Sequence, residues 1–313
     1  MKPVIVVLGS LNMDFVVRMP HLPAPGETVL GHDFVTLPGG KGANQACAAG
    51  RAGAPNVSVK MLGRVGYDVF GDQLKSNLAA ANVDVSGVHP VRGQPTGVAL
   101  IWVDAQGQNS IVVASGANHA IRLDDVPAMR DAFHQARLAL FQLETPLPVI
   151  EAALKMARSE GAKTILDPAP AQTLSPSLLA QVDLLTPNES EALMLLGRAP
   201  TDRVDVDQAQ PLAEALLMLG PKSVIVKLGD RGCFYWDGKT ALYQPAFKVT
   251  AVDSTAAGDT FNGALAVALA EDGDISHALR FAGAAAALSV TQAGAQASIP
   301  QRSDIEYFVS RTT

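Results

Sequence analysis

Cysteine is nearly missing from this chain. Its 313 residues contain two, Cys47 and Cys233, each inside an apolar stretch. Such thiols read as buried and inert, and the count excludes a disulfide-rich scaffold, which fits a reducing compartment. Positive charge is also short: 24 Lys and Arg stand against 30 Asp and Glu, a formal net charge of −6. That balance argues against nucleic acid or an anionic membrane as main partner, because no basic stripe offsets phosphate repulsion. Small anionic ligands are still admissible, since a few local donors hold them whatever the net charge. No apolar run is long enough to span a bilayer before Gly, Ser or Asp interrupts it. The opening MKPVIVVLGS passes from one Lys directly into a strand pattern without a small-residue cleavage site, so no signal peptide is expected and the expected compartment is the cytoplasm. The six histidines, at 21, 32, 89, 119, 134 and 277, show no zinc spacing. No solenoid repeat and no low-complexity tail occur.

What is present is an ordinary globular composition, 48% hydrophobic and 17% charged, in a chain long enough for one large core. Val4 to Leu8 is a β-branched run ending in Gly-Ser, the pattern of a fully buried strand. From Met19 to Phe34, Pro20, Pro23, Pro25, Gly26 and Gly31 punctuate short alternations, which predicts a twisted hairpin outside the core. An Ala-rich helix is predicted over Ala43 to Ala54, a strand over Val57 to Leu62 and an amphipathic helix over Asp68 to Ala81. Thr96 to Val103 and Ser110 to Ala114 flank a polar turn and predict a second hairpin. Strands at Leu138 to Leu143, Lys163 to Leu166, Leu184 to Thr186 and Val224 to Leu228 then alternate with helical patterns. Short antiparallel-looking strands follow Gly232, and two long helices follow at Gly258 to Ala270 and Ser276 to Thr291. This rhythm predicts an α/β fold, a mostly parallel central sheet with helices on both faces. The expected organisation is a single domain over residues 1–313, with a small β lid built from two insertions at about 12–37 and 96–114.

The densest chemistry lies in Ala251 to Ala264, AVDSTAAGDTFNGA. A strand-like stretch ends in small residues and a helix begins near Gly258. Amides at a helix start lack intrahelical acceptors and, with the helix dipole, form an anion cradle. Ala256, Ala257 and Gly258 let a phosphate approach the backbone, and Asp259 beside them is a carboxylate able to take a proton from an attacking hydroxyl. The alternative is that Asp253, Ser254 or Asp259 simply caps the helix. In Gly39 to Asn44, two glycines allow the backbone to lie against a polyol while Lys41 and Asn44 supply donors and an acceptor. The same residues also suit a plain loop before a helix, and the GxxxxGK[ST] spacing of a phosphate-binding P-loop is absent. Asn12 and Asp14 follow the first strand at its C-terminal end, where open α/β sheets bind ligands; a local turn pair is the alternative. Asn188 and Glu191 match a capping box variant.

VDSTAAGDTFNGAL resembles the C-terminal signature of the ribokinase-like carbohydrate kinase family, and Leu37 to Ala46, LPGGKGANQA, resembles its N-terminal one in the form of the ribose-phosphorylating branch. The resemblance runs from about Val4 to Pro300. It implies an ATP-dependent sugar kinase, with D-ribose as acceptor, the 5-hydroxyl as attacking group and D-ribose 5-phosphate as product. It implies Asp259 as general base and the amides of Ala256, Ala257 and Gly258 as anion hole. Asn12, Asp14, Gly40, Lys41, Asn44 and Glu144, with Asp259, are the implied sugar contacts. Asn188, Lys227, Gly229, Gly232, Gly258 and Gly283 are the implied nucleotide side. Glu191 would serve Mg²⁺, directly or through water. Asp253, Thr255, Ser289, Gln292, Gly294 and Ser298 match the loops that carry a monovalent cation in the family, which implies activation by K⁺. Three positions depart from the family's habit: Lys227 stands where Thr is frequent, Gly283 where Asn or His is frequent, and Gln292 where Arg is common. The hairpins would leave sheet edges unpaired, and relatives pair these across a homodimer.

Other readings differ in what they require. A kinase of the same family for deoxyribose, a ketohexose or a nucleoside would share both signatures. A dinucleotide oxidoreductase needs a Gly-x-Gly-x-x-Gly turn, and none follows Val4 to Leu8. A catalytically dead sugar sensor would have lost Asp259 or the Ala-Ala-Gly cradle, and both are intact.

Overall fold

The structure is a computed structural model, and it describes residues 2–200 and 204–312. The strands are β1 Val4–Leu8, β2 Asn12–Arg18, β3 Asp33–Gly39, β4 Ser58–Gly66, β5 Val83–Val91, β6 Gly97–Val103, β7 Asn109–Ala114, β8 Leu138–Phe141, β9 Lys163–Leu166, β10 Leu184–Leu185, β11 Val224–Lys227, β12 Cys233–Trp236 and β13 Ala241–Gln244. The helices are α1 Lys41–Gly53, α2 Val69–Ala80, α3 Arg130–Gln135, α4 Leu147–Ser159, α5 Pro176–Leu179, α6 Glu189–Leu195, α7 Ala209–Leu217, α8 Ala257–Glu271, α9 Ile275–Ser289 and α10 Arg302–Arg311. Nine strands form one sheet in the order β13-β12-β11-β10-β9-β8-β1-β4-β5, parallel from β5 to β11 and antiparallel beyond it.

The alternation of a strand's side chains divides the core in two. Ile5 and Val7 point into one apolar cluster with α1, α2, α8 and α9, while Val6 and Leu8 point into the other with α4 and α7. Helices therefore cover both faces, as the strand-helix rhythm predicts. Small residues let them sit close. Gly263 of α8 faces Ala48 of α1 so tightly that a Cβ at 263 would lie 2.5 Å from the Ala48 Cβ. Caps are local: the Asp68 carboxylate accepts from the Gly71 amide at the start of α2.

Four strands form a separate small sheet in the order β3-β2-β6-β7. It is mixed rather than a pair of independent hairpins, because β2 runs parallel to β6, from Asn12 against Gly97 to Arg18 against Val103. Its strands flank the proline-rich segment instead of containing it. The ladder reaches as far as Met19, whose amide donates to the Val103 carbonyl, and His32, whose amide donates to the Arg18 carbonyl; between them residues 20–31 only connect β2 to β3, and Pro20, Pro23 and Pro25 have no N–H to donate. The nine-stranded sheet, for its part, ends on a strand that the pattern did not predict, β5. Its sequence VDVSGVHPV breaks alternation with Ser, Gly and Pro, which an edge strand tolerates.

The chain order fixes where a ligand crevice opens. From β1 the sheet is built outward to β4 and β5 on one side, and from β8 to β13 on the other. Chains leaving β1 and β8 in opposite directions leave a gap at their C-terminal ends, the switch point of a doubly wound sheet. Residues 9–14, 142–144 and 167, and the start of α1, meet there.

Candidate active site

Gly40 is the N-cap of α1 at φ 90°, a backbone shape that side chains rarely adopt. A Cβ there would stand 2.7 Å from the Asn12 amide nitrogen. Gly42 is packed as closely, with a hypothetical Cβ 2.6 Å from the Gly9 carbonyl carbon and the Ser10 nitrogen. These contacts press the first turn of α1 against the loop after β1 and bring the two motifs of the N-terminal region together.

Asn44 and Gln45 then reach Asp259 in the first turn of α8. Asn44 Nδ2 donates to Asp259 Oδ2 at 2.9 Å, and Gln45 Nε2 donates to Asp259 Oδ1 at 3.0 Å. Both carboxylate oxygens are held from outside the helix, so Asp259 is no cap. The N-cap is Ala256, in the left-handed region at φ 59° and without a side-chain cap bond. A non-glycine residue there carries strain of the sort that clusters at functional sites. Its effect is to aim the start of α8 into the crevice.

The expected trio of amides needs revision in one respect. The Ala257 N–H donates to the Ser254 carbonyl at 3.2 Å, so it is occupied within the loop. Gly258 and Asp259 lie in the first helical turn, whose amides have no acceptor in the helix. Ala256 to Asp259 line a cleft of about 400 Å³ with Lys41, Asp167, Asn188, Glu191, Lys227, Gly229 and Ser254 among its other walls. The Lys227 ammonium stands 3.4 Å from where a side chain at Gly258 would begin, directly over the helix start.

On the other side of Asp259 lies a second polar group. Asn12 is buried and its Oδ1 accepts from Asn118 Nδ2 at 2.7 Å. Asn118 also clasps Leu11, accepting from its amide at 2.9 Å and donating to its carbonyl at 3.0 Å. Asp14 is buried one side-chain repeat further along β2. Glu144, after β8, accepts from the Ser10 hydroxyl and, at 3.1 Å, from the Lys41 amide. Burial, then the charges of Glu144 and Asp259, push the Asp14 carboxyl up to about 7. Burial raises Asp259 to about 6, with Lys41 opposing and Asp167 adding to the rise. Burial alone would lower Lys41, yet Asp259, Asp167, Glu144 and Glu191 together raise it, so its ammonium is firmly charged.

The structure thus gathers Asn12, Asp14, Gly40, Lys41, Asn44, Glu144 and Asp259 around one crevice, and Asn188, Glu191, Lys227, Gly229 and Gly258 around the adjoining cleft. Asn188 and Glu191 form a reciprocal capping box at α6, with Asn188 Oδ1 and Glu191 Oε2 each accepting the other's amide at 2.8 Å. Two predicted nucleotide positions stand back from the cleft walls. Gly232 packs against the chain after β13, where a Cβ would meet the Gln244 carbonyl at 2.0 Å. Gly283 of α9 faces the Phe247 ring. The loops predicted for a monovalent cation do meet. Asp253 accepts from the Thr255 amide and hydroxyl and from the Gly294 amide at 2.9 Å, and its own amide donates to the Val290 carbonyl. The Ser289 and Ser298 hydroxyls donate to the Ala286 and Ala295 carbonyls, and the Gln292 amide donates to Ser289.

Sequence reasoning missed Gln45, Gln142, Asp167 and Asn118. Asp167 accepts from Lys227 Nζ and from Gln45 Nε2, each at 2.9 Å. A signal existed: Asp167 and Gln142 each directly follow a buried strand at the crevice end, the same placement that singled out Asn12.

The chain belongs to the pfkB family of carbohydrate kinases, whose model matches residues 2–302. It is 41% identical to the ribokinase of Haemophilus influenzae over 310 residues, covering 99% of each chain. It is 34% identical to the deoxyribokinase of Salmonella typhi, over 98% of each. Among solved structures, the ribokinase of Arabidopsis thaliana complexed with ribose and ATP superposes with a TM-score of 0.88 at 33% identity, again over 98% of both chains.

Proposed function

We propose that this protein transfers the γ-phosphoryl group of ATP to the 5-hydroxyl of D-ribose, giving D-ribose 5-phosphate and ADP. The observation that carries this reading is the position of Asp259: a buried carboxylate at the start of α8, between the Asn12, Asp14 and Glu144 cluster and the cleft lined by Lys41, Lys227 and Gly258. The relatives' names, ribokinase and a ribokinase complexed with ribose and ATP, support it. In this reading the polar cluster holds the sugar hydroxyls. Asp259 accepts the 5-hydroxyl proton as that oxygen attacks, and the helix start and the two ammonium groups take up the charge of the transferring phosphoryl group. The small sheet acts as a lid of a single catalytic domain, excluding water that would otherwise compete for the phosphoryl group. An assay of ADP release with Mg-ATP and a panel of pentoses, hexoses and nucleosides tests the proposal; no turnover with any sugar would end it.

Mg²⁺ suits the donor set. Among the described residues no cluster of three or more His, Cys, Asp or Glu has the arrangement of a protein-only cage. Mg²⁺ takes oxygen ligands and keeps waters, and Glu191 has one oxygen bonded to Asn188 and a second left for the cleft. Bound with ATP, the ion would neutralise phosphate charge.

Because the base must be deprotonated, kcat/KM is expected to fall on the acid side. The free-enzyme limb reports the interacting carboxyls, Asp259, raised to about 6, and Asp14, raised to about 7. Activity is present above these values and lost as pH drops through them; a flat profile down to pH 5 would contradict the assignment.

K⁺ is expected to raise activity by ordering the 253–258 and 289–298 loops, which Asp253 already ties together through Gly294. Equal rates in K⁺, Na⁺ and a large organic cation would remove that role. A homodimer through the lid is supported by its exposed apolar side chains, Phe34, Leu100, Ile111 and Val112 among them. Sedimentation should give a dimer that Val112→Lys dissociates; a monomeric wild type at micromolar concentration would reject it.

Among the described residues no helix is long and apolar enough to cross a membrane.

A further inference from the structure

The amide of Gln45 occupies an unusual position. Its single Nε2 donates to two carboxylates, Asp167 Oδ2 at 2.9 Å and Asp259 Oδ1 at 3.0 Å. Its Oε1 accepts from Gln142 Nε2 at 2.7 Å. The two carboxylates, which only accept, set which end of the amide faces forward, and Gln142 holds the other end; a flipped Gln45 would oppose acceptor to acceptor at both aspartates and donor to donor at Gln142. All four side chains are buried, with Gln45 1% and Gln142 0% exposed. Asp167 in turn pairs with Lys227 at 2.9 Å, and that ammonium stands over Gly258.

We propose that Gln45 and Asp167 are positioning residues for Asp259: one amide nitrogen, fixed from behind by Gln142, ties the base to the Asp167–Lys227 ion pair and so to the anion cradle at the start of α8. The inference rests on the kinase reading for its catalytic consequence, and on hydrogen-bond geometry alone for the arrangement. Asn44 and Gln45 each hold one oxygen of Asp259, so rotation of the carboxylate breaks at least one of these bonds. Loss of Gln45 frees it to turn away from the attacking hydroxyl. Asp167 serves differently. Two oxygens within 3.0 Å of one nitrogen are less than about 6 Å apart, a range in which like charges act strongly on each other. The other charged groups facing Asp259 are Lys41 from α1, Lys227 from β11 and Asp14 from β2.

The two residues therefore push the base in opposite directions. Gln45 stabilises the charged carboxylate by donating to it, and Asp167 destabilises it by repulsion. The experiment is a ¹³C-carboxyl titration of Asp259 in the ligand-free protein, with kinetics alongside, for wild type, Gln45→Met and Asp167→Asn. Gln45→Met should raise the Asp259 midpoint. Asp167→Asn should lower it, by about one pH unit or more. Gln45→Met should also lower kcat about 10–100-fold while KM for sugar and for ATP changes less than about threefold, as expected for lost orientation rather than lost binding. Shifts in the same direction, or a Gln45→Met enzyme with wild-type kcat, overturn the proposal. The near-isosteric Asp167→Asn carries the titration test if Gln45→Met does not fold. The titration needs no turnover, so opposite shifts in a chain that phosphorylates no sugar would refute the kinase reading and leave the arrangement standing.

Discussion

Asp259→Asn is expected to reduce kcat by about 10²–10⁴-fold, the usual contribution of a general base, equivalent to roughly 3–6 kcal/mol of lost transition-state stabilisation. The substitution keeps shape and volume but removes proton-accepting capacity. Asn44 and Gln45 both donate to Asp259, so an amide at 259 necessarily turns its own donor towards one of them. One hydrogen bond is lost, while the unfavourable burial of a carboxylate is relieved at the same time. Folding should therefore change little, and sugar and ATP should still bind measurably by calorimetry. A residue that served only the helix dipole would give the reverse pattern, a slight loss of stability with kcat intact. Near wild-type turnover in Asp259→Asn would show that the proton leaves by another route.

The parts of this arrangement legible in the sequence were those written in consecutive residues. Gly39 to Asn44 and Ala256 to Asp259 are contiguous, and each carries small residues whose only advantage is close backbone approach. The sheet could be read because its buried parallel strands carry uninterrupted apolar runs, VIVVL in Val4–Leu8 and VIV before Lys227 in Val224–Lys227. What escaped was assembled across the chain. Gln45 meets Gln142 and Asp167 over separations of 97 and 122 residues, and each of these stands as a single polar residue beside an apolar stretch. Nothing local distinguishes such a residue from a solvated strand end until the strand order places three of them at one crevice. The lid shows the same limit. The pair β6 and β7 is legible in its own residues, whereas the hairpin expected over Met19 to Phe34 falls on the connection between β2 and β3; the parallel pairing of β2 with β6 joins segments more than 80 residues apart and depends on where the main sheet carries them. Residue type was informative at Lys227, whose departure from a neutral side chain became intelligible once Asp167 was found opposite it.

Ribose should be preferred over 2-deoxyribose by roughly one to two decades in kcat/KM, although a deoxyribokinase is among the chain's relatives. The expectation comes from the burial of the polar cluster. Asn12 is 2% exposed and Asp14 8%, and Gly40, Lys41 and Glu144 close the same crevice with further donors and acceptors. Water has little room to replace a missing hydroxyl there. An analogue that lacks one leaves its protein partner desolvated and unpaired, at a cost of about 1–3 kcal/mol, and each factor of ten corresponds to about 1.4 kcal/mol. Sites built to pair a hydroxyl reject the deoxy analogue for this reason more sharply than apolar pockets reject an added group. The attacking 5-hydroxyl is common to both sugars, so the discrimination should appear mainly in KM, with kcat closer between them. Steady-state comparison under saturating Mg-ATP checks both statements. Equal or better use of deoxyribose, fructose or a nucleoside would exclude ribose as the preferred acceptor and leave the membership of the carbohydrate kinase family, with Asp259 as its base, to be tested against the sugar that wins.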